Sequence, residues 1–329
     1  MKYDIIKLHF NSPLHLSRGQ TDYYDKSETV LHSDTIKSAI FSCAKVIYKD
    51  AVDEDFLTSF IISSAFPFVE GEYFFPKPLL DFNPVIKDFA PGPKTHKKLK
   101  RIEYLSKDIF EKFINGKLSL INEKQISDNE KYLFSKPENK KQIFKTEVQQ
   151  RLVMPKGDEK HPKPFYLDRI YFEESAGLYF IIEFNDESIK QKVINSFKLL
   201  ETQGLGTDRN IGNGHFAFTE EEIELDTPAQ SQLVSNLSLY LPTKDEVINS
   251  FTVDSRYKLI KRGGYISNPE NEDFLTFRKK SIFMLKEGSV FTNIEQKGKV
   301  EDLKPDNVAI HPIYRDGTSL FIPINPKIK

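Results

Sequence analysis

A chain of 329 residues, 39% of them hydrophobic, is too long for one small domain and apolar enough to build real cores, which excludes a disordered chain and favours two domains. Its 47 basic and 48 acidic residues leave a net charge of −1, which argues against a protein that coats nucleic acid indiscriminately but leaves room for a local basic groove. One cysteine, Cys43, excludes an intrachain disulfide and a Cys-based zinc site. No apolar run approaches the roughly 18–20 residues of a membrane span.

The opening segment MKYDIIKLHF reads as a charged strand, with Ile6, Leu8 and Phe10 on one face, and not as a signal peptide; a reducing cytoplasm is the expected compartment. A helix is predicted over 34–48, because Ile36, Ile40, Cys43 and Ile47 form one stripe, with Ser33 or Asp34 as its cap. A short helix over 53–63 precedes a hairpin, FPFVEGEYFFPKP, turning at Glu70-Gly71. Residues 85–165, with Pro-Gly-Pro, the basic run KTHKKLKR and a helical stretch near 106–116, read as a partly mobile insertion. Beyond a turn at Ser175-Ala176-Gly177, a strand alternates Leu178, Phe180, Ile182 and Phe184. An amphipathic helix over 187–202 then buries Ile189, Val193, Phe197 and Leu200.

The acidic stretch 220–230 reads as a linker between a first domain, 1–225, and a second, 226–329. The second starts with a strand alternating Leu237, Leu239 and Leu241, then a short helix after Pro242 with Val247 and Ile248. Strands at 256–260 and 275–285 follow, and a closing hairpin turns at Asp316-Gly317. The recurring order fits an α+β fold of two ferredoxin-like or RRM-like units.

GLGTDRNIGNGHF places Gly204, Gly206, Gly212 and Gly214 between that amphipathic helix and a short strand, HFAF. Rossmann and P-loop motifs need strand, loop, then helix, so that phosphate meets a helix N-terminus. Here the order is reversed and no Gly-Lys-Ser/Thr follows, which rejects a nucleotide-cofactor cradle. A plain reading makes Gly204 a helix cap and Asn213-Gly214 a hairpin turn. The alternative is a backbone cradle for a phosphodiester chain, with Arg209 at its tip and His215 beside it.

Further candidates are Ser33 and Lys37 on the first helical turn, which would offer free N–H groups and charge to a phosphate unless Ser33 or Asp34 merely caps. His32 could stack on a base or donate to phosphate. Arg18 follows the first strand and can fork onto phosphate. Arg262-Gly263-Gly264-Tyr265 joins close backbone approach, charge and a stacking ring, unless it is a plain hairpin turn. None of the seven histidines forms a metal pair such as H-x3-H, and no carboxylate metal site is evident.

The helix–loop–strand order with a basic residue inside a glycine loop resembles the RAMP superfamily of CRISPR systems. LHSDTIKSAIFSC resembles the first helix, and FPFVEGEYFFPKP the following hairpin, of the type III-A (Csm) RAMP subunit that holds the CRISPR RNA 5′ end. KTEVQQRLVMP with PFYLDRIYFEESAGLYFIIEF resembles its projecting thumb, and KRGGYISN and HPIYRDGTSLFIPI resemble features of its second domain. The likeness spans nearly the whole chain in order, departing at MPKGDEKHPKP, the thumb tip. It implies two RRM-like domains of RAMP type with a thumb insertion in the first, no cofactor and no catalysis. It also implies recognition of the repeat-derived 5′ tag and docking to the large Palm-domain signature subunit and the repeated backbone RAMP subunit, with target RNA met only indirectly. Lys145 and Arg151, in the thumb, become RNA-contact candidates. Two alternatives stand beside this reading: an endoribonuclease that cleaves precursor CRISPR RNA with a histidine, and a docking module without RNA contact.

Overall fold

Strand β1 (Lys2–Phe10) runs into helix α1 (Ser33–Tyr48), the short helix α2 (Glu54–Thr58) and β2 (Phe60–Ile62). A hairpin of β3 (Phe66–Val69) and β4 (Glu72–Pro76) leads to β5 (Val85–Lys87), α3 (Pro93–Arg101), β6 (Tyr104–Ser106), α4 (Lys107–Ile114), β7 (Leu120–Asn122) and β8 (Tyr132–Leu133). A long ribbon, β9 (Phe144–Val153) and β10 (Lys163–Phe172), returns to β11 (Ala176–Phe184), α5 (Glu187–Gln203) and β12 (Phe216–Glu224). The remainder holds β13 (Leu233–Asn236), α6 (Lys244–Ser250), β14 (Leu259–Arg262), β15 (Ile282–Leu285), β16 (Val290–Thr292), β17 (Val300–Asp302), β18 (Tyr314–Asp316) and β19 (Phe321–Ile324). This computed structural model describes residues 1–17, 27–87, 93–154, 161–266, 274, 277–292, 297–306 and 308–326.

One large sheet organises the molecule, in the order β12-β1-β11-β3-β4-β6-β8, with β2 also paired to β11. β1 is antiparallel to both β11 and β12. With α1 and α5 as crossovers, β1-α1-β3 and β11-α5-β12 give the connectivity of a split βαβ unit. β11 is buried along most of its length because both sheet faces are covered. Leu178, Phe180 and Ile182 enter the core beneath α1 and α5 with Ile36, Ile40, Val193 and Phe197. Tyr179 and Ile181 enter the opposite core with Phe66, Phe75 and, from the C-terminal third, Val290 and Ile322. The strand period of two thus divides one strand between two cores. Gly177 lies within β11: a Cβ there would fall 2.2 Å from the Leu8 carbonyl oxygen. The expected turn at 175–177 therefore shifts to Glu174-Ser175.

Several expectations are corrected. The second helix ends at Thr58, because Phe60–Ile62 pairs with β11. Ile47 is exposed at the end of α1. Much of 85–165 is built into the fold: β6 extends the sheet beside β4, and Phe110 stacks on Phe75 with ring centroids 4.7 Å apart. The basic run 94–101 is helical and buries Thr95 and Leu99. Glu220–Glu224 is strand, paired along β1, so the linker shrinks to the residues after it. In the C-terminal third β13 stops at Asn236, and α6 leaves Val247 and Ile248 exposed. The closing hairpin is absent, since β18 pairs with β17 and β19 with β13. Among the described residues this third forms a three-stranded sheet, β16-β13-β19, and two-stranded ribbons, not a second four-stranded unit.

Candidate nucleic-acid interface

The glycine loop leaves the C-terminus of α5 with Gly204 at φ +78°, its N–H donating to Leu200 O at 2.8 Å. Gly206, Gly212 and Gly214 also have positive φ. Gly206 packs on segment 13–15, where a Cβ would fall 2.5 Å from His15 O; at Gly214 it would fall 1.8 Å from Leu205 O. Thr207 N–H donates to His15 O, and Gly214 N–H to Pro13 O, which fastens the loop to that segment. Gly204 is the helix cap of the plain reading; Gly206 and Gly214 are fixed by close packing on His15 and Leu205, and Asn213-Gly214 is a bend and not a hairpin turn. Gly212 differs: it closes the 3₁₀ turn Arg209–Ile211, and its Cα faces open space. The same segment pairs Leu14 with Ile170 of β10, joining the glycine loop to the ribbon.

A groove of about 440 Å³ runs between this loop, α1 and the loop after β14. It gathers Gly204, Gly206 and Arg209 from the first, His32 from the second, and Gly263 and Gly264 from the third. Three segments far apart in sequence thus share one concavity. Arg209 is half-buried, and its Nη1 lies 3.4 Å from Gly204 O. At Gly263 a Cβ would fall 2.6 Å from Ser281 Oγ, which would have to rotate aside, and Gly264 is favoured by its φ of +112°. Tyr265 is exposed, with the Arg278 guanidinium 5.2 Å from its ring centroid.

The first turn of α1 has a different role from the one its residues suggested. His32 is the N-cap position but makes no side-chain cap, and Ser33 and Asp34 lie inside the helix. Ser33 Oγ accepts from Leu239 N–H. His32 Nδ1 lies 2.7 Å from Glu287 Oε1 and its Nε2 3.3 Å from Glu28 Oε2. Burial alone would lower its pKa, but Glu287 and Glu28 raise it to about 9. Lys37 is fully buried; its Nζ donates to Leu57 O and Thr318 Oγ1 and lies 3.1 Å from Asp316 Oδ2. Asp34 accepts both Nε and Nη2 of Arg262, at 2.8 and 3.0 Å, and Nη1 of Arg315 at 2.5 Å. Against the penalty of burial, these two guanidiniums hold the Asp34 carboxyl well below its usual range. The expectation that Ser33 and Lys37 face a phosphate is corrected: both are interior groups that tie α1 to the C-terminal third. His32 lines the groove with its ring already engaged.

Other candidates lie elsewhere. Lys145 is exposed on β9 and Arg151 half-exposed farther along it, opposite Phe165. The ribbon also exposes Val148, Leu152 and Tyr166. His215 is held by its backbone, its N–H donating to Ser12 Oγ. Gly212, Gly214 and His215 do not line the groove. Arg18 lies outside the described residues. Two basic groove residues are not marked as candidates by the sequence. Arg315 falls in the segment with hairpin spacing, and the signal for Lys279 is the basic triplet Arg278-Lys279-Lys280. Among the described residues no group of three or more His, Cys, Asp or Glu side chains is placed to hold a metal, and no helix is long and apolar enough to cross a membrane.

Residues 229–324 match the family model of the CRISPR Csm4 C-terminal domain. The chain is 25% identical to the CRISPR system Cms protein Csm4 of Methanocaldococcus jannaschii, over 99% of this chain and 98% of that protein. It is 23% identical to the protein of the same name from Thermococcus onnurineus, over 79% and 81%. Its fold is similar to a chain in the crystal structure of the Csm3-Csm4 subcomplex of the type III-A CRISPR-Cas interference complex, with a TM-score of 0.68, 22% identity and coverage of 99% and 100%. It is also similar to a chain of the Csm1-Csm4 cassette in complex with cA4, with a TM-score of 0.62, 19% identity and 99% of both chains covered. Fold and relatives together make the chain similar to subunits of CRISPR effector complexes. The particular proteins it is similar to, over nearly its whole length, are Csm4 proteins, and its residues 229–324 match their C-terminal domain.

Proposed function

We propose that this chain is a non-catalytic subunit that holds the repeat-derived 5′ tag of the CRISPR RNA in the groove between the glycine loop, α1 and the Arg262–Tyr265 loop. The supporting observation is that groove: Arg209, Arg262 and an exposed stacking ring, Tyr265, converge on it from separate parts of the chain. Guanidinium and backbone N–H groups suit phosphates, and a ring suits an unstacked base. By analogy with the named assemblies of its relatives, it docks a Csm1-type Palm-domain subunit and Csm3-type backbone subunits. Target RNA then meets it only through the guide. The split βαβ unit is read as a ferredoxin-like RAMP domain, 1–225, with the β9–β10 ribbon as its thumb; Lys145 and Arg151 on that ribbon, and Arg18, remain candidate backbone contacts. Residues 226–329 form the second domain.

The test is reconstitution with the Csm1- and Csm3-type subunits of the same system and a guide bearing a native or scrambled tag. Guide retention should fall in Arg209→Ala and Tyr265→Ala complexes, and no subunit-dependent cutting of repeat RNA should occur. Assembled complexes that retain guide equally well in both variants would sink the reading. Metal-independent repeat cleavage lost in His215→Ala would favour the endoribonuclease.

A further inference from the structure

We propose that Lys279, Arg262 and Arg315 form a single phosphate seat on the C-terminal wall of the groove, with Lys279 as the cation that closes on the anion. This inference rests on the RNA reading above and names the group bound at that wall and the residues that bind it. All three side chains line the groove. Their arrangement is asymmetric. Asp34, wholly buried, is shared by two guanidiniums, so the trio of Asp34, Arg262 and Arg315 keeps one positive charge. Arg315 is 5% exposed, and its Nε has no hydrogen-bond partner. Lys279 makes no ion pair among the described residues, although an amine this enclosed ordinarily finds one. A surplus of positive charge with unused side-chain donors is what a phosphodiester oxygen would satisfy.

The free amine bears the strain of that surplus. Burial, and the Arg315 and Arg262 guanidiniums, lower the Lys279 pKa to about 7 against the opposing pull of Asp34. Among the described residues these are the charged groups that face it, from β18, β14 and α1. A phosphate seated among them would favour the charged amine, so binding takes up a proton. Affinity is then insensitive to pH below about 7 and falls as pH rises above it, by at most roughly tenfold per pH unit for one proton. His32, whose pKa lies near 9, also titrates at the alkaline end, so the useful window is pH 6.5–8.5.

The experiment measures affinity of the full-length protein for a tag-bearing oligoribonucleotide by fluorescence anisotropy, from pH 6.5 to 8.5 at fixed ionic strength. The wild type should weaken roughly three- to tenfold per pH unit above about pH 7. Lys279→Gln should bind about tenfold or more weakly at pH 6.5 and show no slope. Lys279→Arg, permanently charged, should bind tightly and equally without slope. An unchanged slope in Lys279→Gln overturns the seat. Binding that is lost in Arg209→Ala but is flat with pH in every variant overturns the seat and leaves the groove standing. No binding at any pH, or binding indifferent to Arg209, Tyr265 and Lys279 alike, sinks the groove and the seat together. Competition with inorganic phosphate and with a mononucleotide separates the sources: either one displacing the oligoribonucleotide at equal concentration would make this a free-phosphate or nucleotide site and overturn the assignment to RNA.

Discussion

Lys37 and Asp316 meet 3.1 Å apart in the interior, both withdrawn from solvent, one on α1 and the other at the end of β18. The pair joins the two parts of the chain. Burial lowers the lysine's pKa and raises the aspartate's, each partly offset by the partner. Removing one member leaves an uncompensated buried charge. Lys37→Met should cost about 3–5 kcal/mol in urea unfolding, and Lys37→Met with Asp316→Leu should recover much of that loss. RNA affinity per folded molecule should be unchanged. A stable Lys37→Met that has lost RNA binding would return Lys37 to the interface.

The His32–Glu287 contact makes stability depend on alkaline pH. The folded-state pKa of about 9 lies above the ordinary 6.5, so the stabilisation is complete below pH 6.5 and is lost as pH rises through 9. Chemical denaturation should show a decline of roughly 2–3 kcal/mol between pH 6.5 and 9.5. His32→Gln should be less stable at neutral pH and nearly flat across that window. An equal decline in the variant would assign the effect to another group.

The glycines of the loop should separate by role. Gly206→Ala drives a methyl into the His15 carbonyl and should lower the melting temperature markedly. Gly212→Ala meets nothing and carries only the strain of a left-handed conformation, about 1–2 kcal/mol. Thermal melts of the two variants would contradict this if they shifted alike.

Arg209 and Tyr265 should fail differently on RNA. Arg209→Ala should weaken binding by about 1–3 kcal/mol and reduce the salt slope by about one unit if it contacts phosphate. Tyr265→Ala should lose about 1–3 kcal/mol with the salt slope intact, and Tyr265→Phe should bind as well as the wild type. A salt slope altered by Tyr265→Ala would argue against stacking. Titrations at several salt concentrations read both.

The first half of the fold was legible because its signals are local. Ile36, Ile40 and Cys43 announce α1, and Glu70-Gly71 announces a hairpin whose turn residues both have positive φ. What escaped depends on partners distant in sequence. Lys37 looks like a surface cation until Asp316 is placed beside it, 279 positions later. Glu220–Glu224 looks like a solvated linker because its pairing with β1 is written in the backbone, not in side-chain polarity. Tyr314–Asp316 and Phe321–Ile324 carry hairpin spacing, yet each finds a better neighbour elsewhere. The candidate groove was half legible. Glycines beside arginines mark its loops, while Arg315 and Lys279 reach it only through the packing of the C-terminal third against α1.

The acidic strand β12 has a consequence of its own. It ends the large sheet, and Glu220, Glu221, Glu222 and Glu224 are exposed along it. Lys7 and Tyr73 hold Glu221, and Lys2 pairs with Glu222. An open sheet edge invites strands from other molecules, and charged side chains are one way to blunt it. Two copies meeting there would set carboxylate against carboxylate, so the sheet is sealed against self-addition without a covering helix. The same fence turns a polyanion away from that rim of the molecule.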